Sequence, residues 1–456
     1  MGIILTVLSL GLLSAAICGV PLTGWSLVLS LIYLVAACFI LWRKPMVVKK
    51  WHLFMFGGLL MSFILIALPF ERPGMYVASE LYGILHLRWT FAAAVLVLFA
   101  YLAYPKAARF RRSAFFVLIA GAMLFRFGMP LVSPAPVIDV FRMSQDSAQN
   151  LLAGMNPYVT PVPNVYVPGT TMPGYVYLPG VLYLQTLGAA LFSDIRYILI
   201  VAQAVTAFIL YWLARRRWPV AVAELFPLLY LYHPRALFML EQAWTEPLII
   251  LCFALAVYAL ERNRRYLSAL AFGYGLSMKQ YLVMFPLHWL LLERKPKYLL
   301  SGLGLAILTA VPFLLLDAHI FLREGVIGQV SVPFRWDGMT VYNYFPSLLQ
   351  EIPFIADVSA EWGTYGMQRE PHRWLTGAVG MVFGLLTFLL FRKKRQPMGF
   401  LASAALTTFA MFFLGRHALL NYYSFVLFLL IALLAAGPEP ASSPRVAKTP
   451  AKPKKR

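Results

Sequence analysis

The chain is a succession of apolar runs of about 18 residues joined by short connectors rich in arginine and lysine, and at ~1.5 Å per residue each run is long enough to cross ~30 Å of hydrocarbon. Such repetition leaves one fold class, an all-α polytopic bundle of transmembrane helices, because a backbone in lipid must satisfy its own hydrogen bonds. A composition 61% hydrophobic and only 12% charged excludes an ordinary soluble enzyme. Cys18, Cys38 and Cys252 all fall inside apolar runs, so there is neither a disulfide framework nor a CxxC metal signature. The first run, 3–20, lacks a basic flank and reads as a retained span rather than a cleaved signal peptide.

A formal charge of +21 would point a soluble protein towards nucleic acid. Here most of the basic residues sit in alternate connectors, the pattern of the positive-inside rule, and no nucleic-acid partner is implied. Spans at 3–20, 25–42, 53–70, 87–104 and 114–133 place residues 134–195 outside. Arg215 to Arg217 must then be cytoplasmic, so only one of the stretches 178–192 and 196–213 crosses. The first, with Pro179, Gly180 and Tyr183, is laid along the outer interface. Spans 220–238 and 244–260 follow. The stretch 266–291 has basic flanks on both sides and must go in and return, with Lys279 near its turn. Spans 298–316, 375–391, 398–414 and 418–436 complete about 14 crossings with both termini cytoplasmic, in what reads as a bacterial inner membrane. A second outer connector runs from Asp317 to Arg373, and the Pro-, Ser- and Lys-rich tail 437–456 is predicted to be disordered.

With no room for a soluble domain, chemistry is confined to the outer loops and outward helix ends. Gly128 to Pro179 is rich in proline and tyrosine, a stiff loop of the kind that binds something. Within it Asp139 opens an amphipathic helix that Gly154 and Asn156-Pro157 stop, and an N-cap is one reading of Asp139. His319 beside Asp317 and the acids of the late loop have no metal-ligand spacing, and neither a metal nor a cofactor is expected.

The run DVFRMSQDSAQNLLAGMNPY, followed by YVYLPGVLYL, resembles the first outer loop of the GT-C superfamily of integral-membrane glycosyltransferases, and most of all the polyprenol-phosphate-mannose-dependent mannosyltransferases of glycosyltransferase family 87. The resemblance covers residues 114–436. Residues 1–113 then stand as an added four-helix module, since five spans precede Asp139 where the family has one, and Val140 stands where some relatives have a second acid. The resemblance implies a hexose, mannose first, carried on a polyprenyl phosphate and passed to a lipid or glycan acceptor, with Asp139 as general base. Asp146 would assist or bind acceptor hydroxyls, unless it is a solvated helix face. Lys279, in GLSMKQYLVMFP, is similar to the lysine of the family's hairpin and would hold the donor phosphate, a snorkelling lysine being its bland alternative. Arg335, Arg416, His417, Tyr422 and Tyr423 would line the donor pocket, or serve as interfacial anchors and an aromatic belt. Arg126 would either snorkel outward or point into the site. Glu241, Trp244 and Glu246 stand at the outer start of a span; Glu246 suits a helix N-terminus and Trp244 a stacking role on a sugar. The rival expectation from another class is a transporter or lipid-linked-sugar flippase, which would spread polar residues through both leaflets.

Overall fold

The computed structural model describes residues 1–19, 23–43, 46–67, 74–78, 87–328, 334–335, 337–345, 356–358, 369–371, 374–393 and 397–437. The predicted tail beyond Gly437 and much of the late connector lie outside the described residues. The first five apolar runs are α1 (Gly2–Ile17), α2 (Thr23–Arg43), α3 (His52–Ala67), α4 (Leu87–Ala103) and α5 (Ala108–Val132). Next come α6 (Asp139–Leu152), the two-residue strands β1 (Val162–Pro163) and β2 (Thr171–Met172), α7 (Pro179–Phe192) and α8 (Arg196–Arg215). The strands pair antiparallel, Val162 opposite Met172. Then follow α9 (Val220–Ala223), α10 (Leu225–Leu231), α11 (Ala236–Glu241), α12 (Glu246–Glu261), α13 (Arg265–Leu276), a 3-10 turn at Gln280–Met284 and α14 (Phe285–Leu292). The chain continues with α15 (Pro296–Ile320), a π turn at Phe321–Ile327, α16 (Val341–Tyr344), the antiparallel pair β3 (Ala356–Val358) and β4 (Arg369–Pro371), α17 (Leu375–Phe391), α18 (Pro397–Phe413) and α19 (Leu420–Ala436).

The described residues are therefore mostly helical, with very little strand. Among the described residues four helical stretches are long and apolar enough to cross a membrane, Thr23–Arg43, Ala108–Val132, Arg196–Arg215 and Pro296–Ile327, and they are accompanied by shorter apolar helices. α18 and α19 are apolar on every face and buried along nearly their whole length, which places them at the centre of the bundle. α19 is buried against α1, α8, α10 and α12. The outer helices present Leu124, Phe208 and Leu315 to their surroundings, as a surface in contact with lipid does.

The first four helices are not set apart. α1 lies on α19 and α2 on α18, while α3 reaches α10. α1 and α2 are joined by the hydroxyls of Ser9 and Ser30, 3.0 Å apart and buried, the polar contact that helices without a hydrophobic incentive to associate use.

The predicted span 220–238 is broken. α10 ends at Leu231, Arg235 takes a left-handed φ of 64°, and α11 starts afresh at Ala236. A helix end inside an apolar bundle leaves carbonyls that must find donors. Arg126 of α5 supplies one: its Nη2 donates to the Leu231 carbonyl at 2.5 Å, Nη1 to that of Ala122 at 2.8 Å, and Nε to the Gln203 amide oxygen. Arg126 therefore neither snorkels nor enters the site; it closes the break.

Candidate functional site

Charge parity predicts a turn at Lys279, and the joint between α13 and α14 is there, with Lys279 in extended conformation. Three contacts fix this joint. The Gly180 amide donates to the Ser277 carbonyl at 2.8 Å, and a Cβ at Gly180 would overlap Ser277, so glycine lets α7 sit on the turn. Tyr274 Oη donates to the Gly180 carbonyl at 3.0 Å. Gln280 Nε2 donates to the carbonyls of Val176 at 3.1 Å and Gly325 at 2.5 Å, joining the early loop to the end of α15.

The early loop is ordered from within. Tyr158 is buried edge-on to Tyr175, Phe313 and Phe321 at ring separations of 5.7, 4.9 and 5.0 Å, and its hydroxyl donates to the Tyr177 carbonyl at 2.7 Å. Aromatic clustering of this kind offsets the entropy of ordering a long connector.

Lys279 does not snorkel. Its ammonium is buried, 2.5 Å from Glu246 Oε1 and 5.2 and 5.0 Å from the ring centres of Tyr177 and Tyr422. Glu246 is the helix-start acid expected, being the first residue of α12, and also the partner of Lys279. The second carboxylate oxygen, Oε2, is buried and has no hydrogen bond among the described residues.

A cavity of about 610 Å³ opens from Lys279 between the 3-10 turn, α17 and α18. Arg416, His417 and Tyr422 stand at it with Lys279, and its walls are apolar, with Met284, Met381 and Met411 among them. His417 Nδ1 is buried and has no hydrogen bond among the described residues, and its ring meets Tyr422 edge-on at 6.0 Å. Burial first, then the neighbouring Arg335 and Arg416 cations, lowers the imidazole's pKa to about 4, so it is neutral at pH 7. Tyr423 is on the other face of α19. It is fully buried against Phe409 and Phe412, and its hydroxyl donates to the Met339 carbonyl at 2.6 Å; the expectation that it lines the donor pocket is corrected, since successive helix residues lie about 100° apart.

Asp139 is the first residue of α6, following extended Ile138. It does not cap the helix: Oδ1 accepts the adjacent Val140 amide at 2.8 Å, the one amide it receives among the described residues. The Asp139 amide donates to Tyr166 Oη at 3.4 Å. The carboxylate is half-buried and close enough to act electrostatically on Tyr76, Tyr166, Tyr177 and Arg335. Tyr177 feels Lys279 as well, and His417 feels Arg335, so Asp139, Arg335, His417 and Lys279 form one neighbourhood. Arg335 is exposed and held bidentately by Asp337 at 2.8 and 2.6 Å, a pairing that holds the Asp337 carboxyl below its usual range.

The remaining expected residues have other duties. Asp146 is largely covered and pairs with the exposed Arg142 at 2.6 Å; burial pushes its carboxyl up, more than Arg142 pulls it down. Trp244 meets Phe238 edge-on at 5.6 Å and does not line the cavity. Glu241 is fully buried and accepts the amides of Met75 at 2.6 Å and Tyr76 at 2.9 Å, and a Cβ at Gly74 would overlap its carboxylate. It thus binds the chain itself, placing Tyr76 beside Asp139.

Sequence reasoning missed Tyr76, Tyr166 and Tyr177. Tyr177 lies within the YVYLPG run, where only its position in that run marked it. Among the described residues no group of three or more His, Cys, Asp or Glu side chains is placed to hold a metal ion. No protein-family model matches the chain, and no curated protein sequence matches it.

Proposed function

We propose that this protein is an integral-membrane glycosyltransferase of the GT-C type that transfers a hexose, mannose first among the candidates, from a polyprenyl phosphate to a hydroxyl of a lipid or glycan acceptor. One observation carries the reading: a half-buried carboxylate, Asp139, shares a neighbourhood with a cation-rimmed apolar cavity of about 610 Å³. Cavities of that size and lining suit a ligand that is mostly hydrocarbon with a small polar head. The isoprenyl chain would lie along Met284, Met381 and Met411, with its phosphate towards Arg416, His417 and Lys279.

Asp139 takes the proton from the acceptor hydroxyl as its oxygen attacks the anomeric carbon. The bond from that carbon to the phosphate oxygen breaks, and the polyprenyl phosphate leaves with the electron pair, its charge met by Arg416 and Arg335. A single displacement inverts the carbon. Because Lys279 and Arg335 already hold carboxylates, Lys279 acts by setting Glu246 and the tyrosines in place as much as by meeting the phosphate. The full topology belongs to the same reading: about 14 crossings, both termini in the cytoplasm of a bacterium, and the site on the outer face of its inner membrane, where lipid-linked rather than nucleotide sugars are at hand.

A second reading, a transporter or lipid-linked-sugar flippase, draws on the helix break at Tyr232 to Arg235 and its buried Arg126, since discontinuous helices mark transport folds. Reconstituted full-length protein offered polyprenyl-phosphate-mannose separates the two. The glycosyltransferase reading expects donor consumption that falls ~10²–10⁴-fold in Asp139→Asn. Undiminished consumption in that variant removes Asp139 as base, and donor crossing the bilayer unconsumed by the wild type supports transport.

A further inference from the structure

A second cleft, of about 680 Å³, lies between α5, α8 and α9–α10. Its cationic mouth is at the start of α5, and most of that 25-residue helix, ~37 Å long at 1.5 Å per residue, separates the mouth from the Asp139 end. Along α5 the residues facing it are Ala108, Arg111, Arg112, Phe115, Phe116, Ile119 and Met123, a helical stripe; along α8 they are Ala204, Ala207, Phe208 and Tyr211. Small residues on α8 leave the space, and the rings of Phe115 and Tyr211 stack across it at 5.9 Å. The lips, Phe116 and Phe208, are exposed.

Its polar end is cationic. The one carboxylate there, Glu224, is already neutralised: Arg111 Nε donates to it at 2.9 Å and Tyr101 Oη at 2.8 Å. Arg112 stands exposed over the Phe116 ring at 5.7 Å. Arg215 follows Tyr211 by four residues on the same face of α8. A soluble anion has no use for so long an apolar wall, and an uncharged lipid none for arginines at its mouth.

We propose that this cleft holds one anionic phospholipid, its phosphate at Arg112 and Arg111 and an acyl chain along Phe115, Ile119 and Met123. The site is separate from the donor cavity; only the name of its leaflet, the cytoplasmic one, rests on the proposed orientation. Native mass spectrometry of the full-length protein in a delipidating detergent, with phosphatidylglycerol or phosphatidylcholine added back, tests it without any measurement of turnover. The wild type should retain one phosphatidylglycerol and no phosphatidylcholine. Arg112→Gln should lower retention about fivefold, the order one cation contributes next to anionic lipid. Ala204→Phe should lower it by filling the cleft with every charge in place, and Arg109→Gln, at the same end but off the cleft, should leave it unchanged. Equal retention of the two lipids overturns the proposal, as does equal retention by Arg112→Gln and wild type. An equal loss in Arg109→Gln and Arg112→Gln overturns it too, whether or not Ala204→Phe accumulates, because it means diffuse attraction.

Discussion

The ammonium of Lys279 lies 2.5 Å from Glu246 Oε1, and both side chains are buried. Breaking such a pair from one side strands a charge, which costs ~3–5 kcal/mol, whereas replacing both partners is often neutral. Lys279→Ala should therefore lower the melting temperature in detergent strongly, and the double variant Lys279→Met with Glu246→Gln should recover most of it while remaining inactive. A single variant no less stable than the double one would show that the pair does not hold the joint between α13 and α14.

The neutral imidazole of His417 makes stability acid-sensitive. An unfolded histidine titrates near 6.5, the folded one at about 4. The unfolded chain therefore binds the extra proton between those values, and stability, constant above pH ~6.5, falls as the pH drops towards 4 by up to ~3 kcal/mol. His417→Gln should flatten that fall. Melting curves at pH 7.5, 6 and 5 for both proteins check it; parallel slopes would mean that His417 is not the group responsible.

Glu241 organises the short segment Gly74–Ala78 through two charge-assisted amide bonds at 2.6 and 2.9 Å. Glu241→Ala should cost ~2–3 kcal/mol and speed proteolysis near residue 75. It should also slow transfer, because Tyr76 leaves Asp139. Cleavage at the wild-type rate would contradict this.

The cavity of about 610 Å³, proposed to take the donor, can be filled without disturbing the fold. Nothing lies within 4 Å of a Cβ placed on Gly377, which lines the cavity in the first turn of α17. Gly377→Leu should leave melting unchanged or slightly raised and should raise the KM for a long-chain donor more than for one with a truncated isoprenoid. An equal effect on both donors would place the chain elsewhere.

What could be read from the sequence was whatever depends on neighbours along the chain. The apolar runs yield the helices, and basic flanks on both sides of 266–291 yield a joint with Lys279 at it. Pairing across the chain was illegible: Glu246 stands 33 residues before Lys279, and no local pattern links them. Tyr422 and Tyr423 are equivalent as letters, and only the angle of α19 sends one to the cavity and the other to Met339. The break after Leu231 was hidden because its compensation, Arg126, sits more than a hundred residues earlier, on another helix.

The Glu241 clamp has a practical consequence for anyone building chimaeras. Since residues 74–78 are held by it beside Asp139, the opening 113 residues are wired into the proposed reaction chamber, and a graft that trades them for a foreign anchor would arrive without Tyr76.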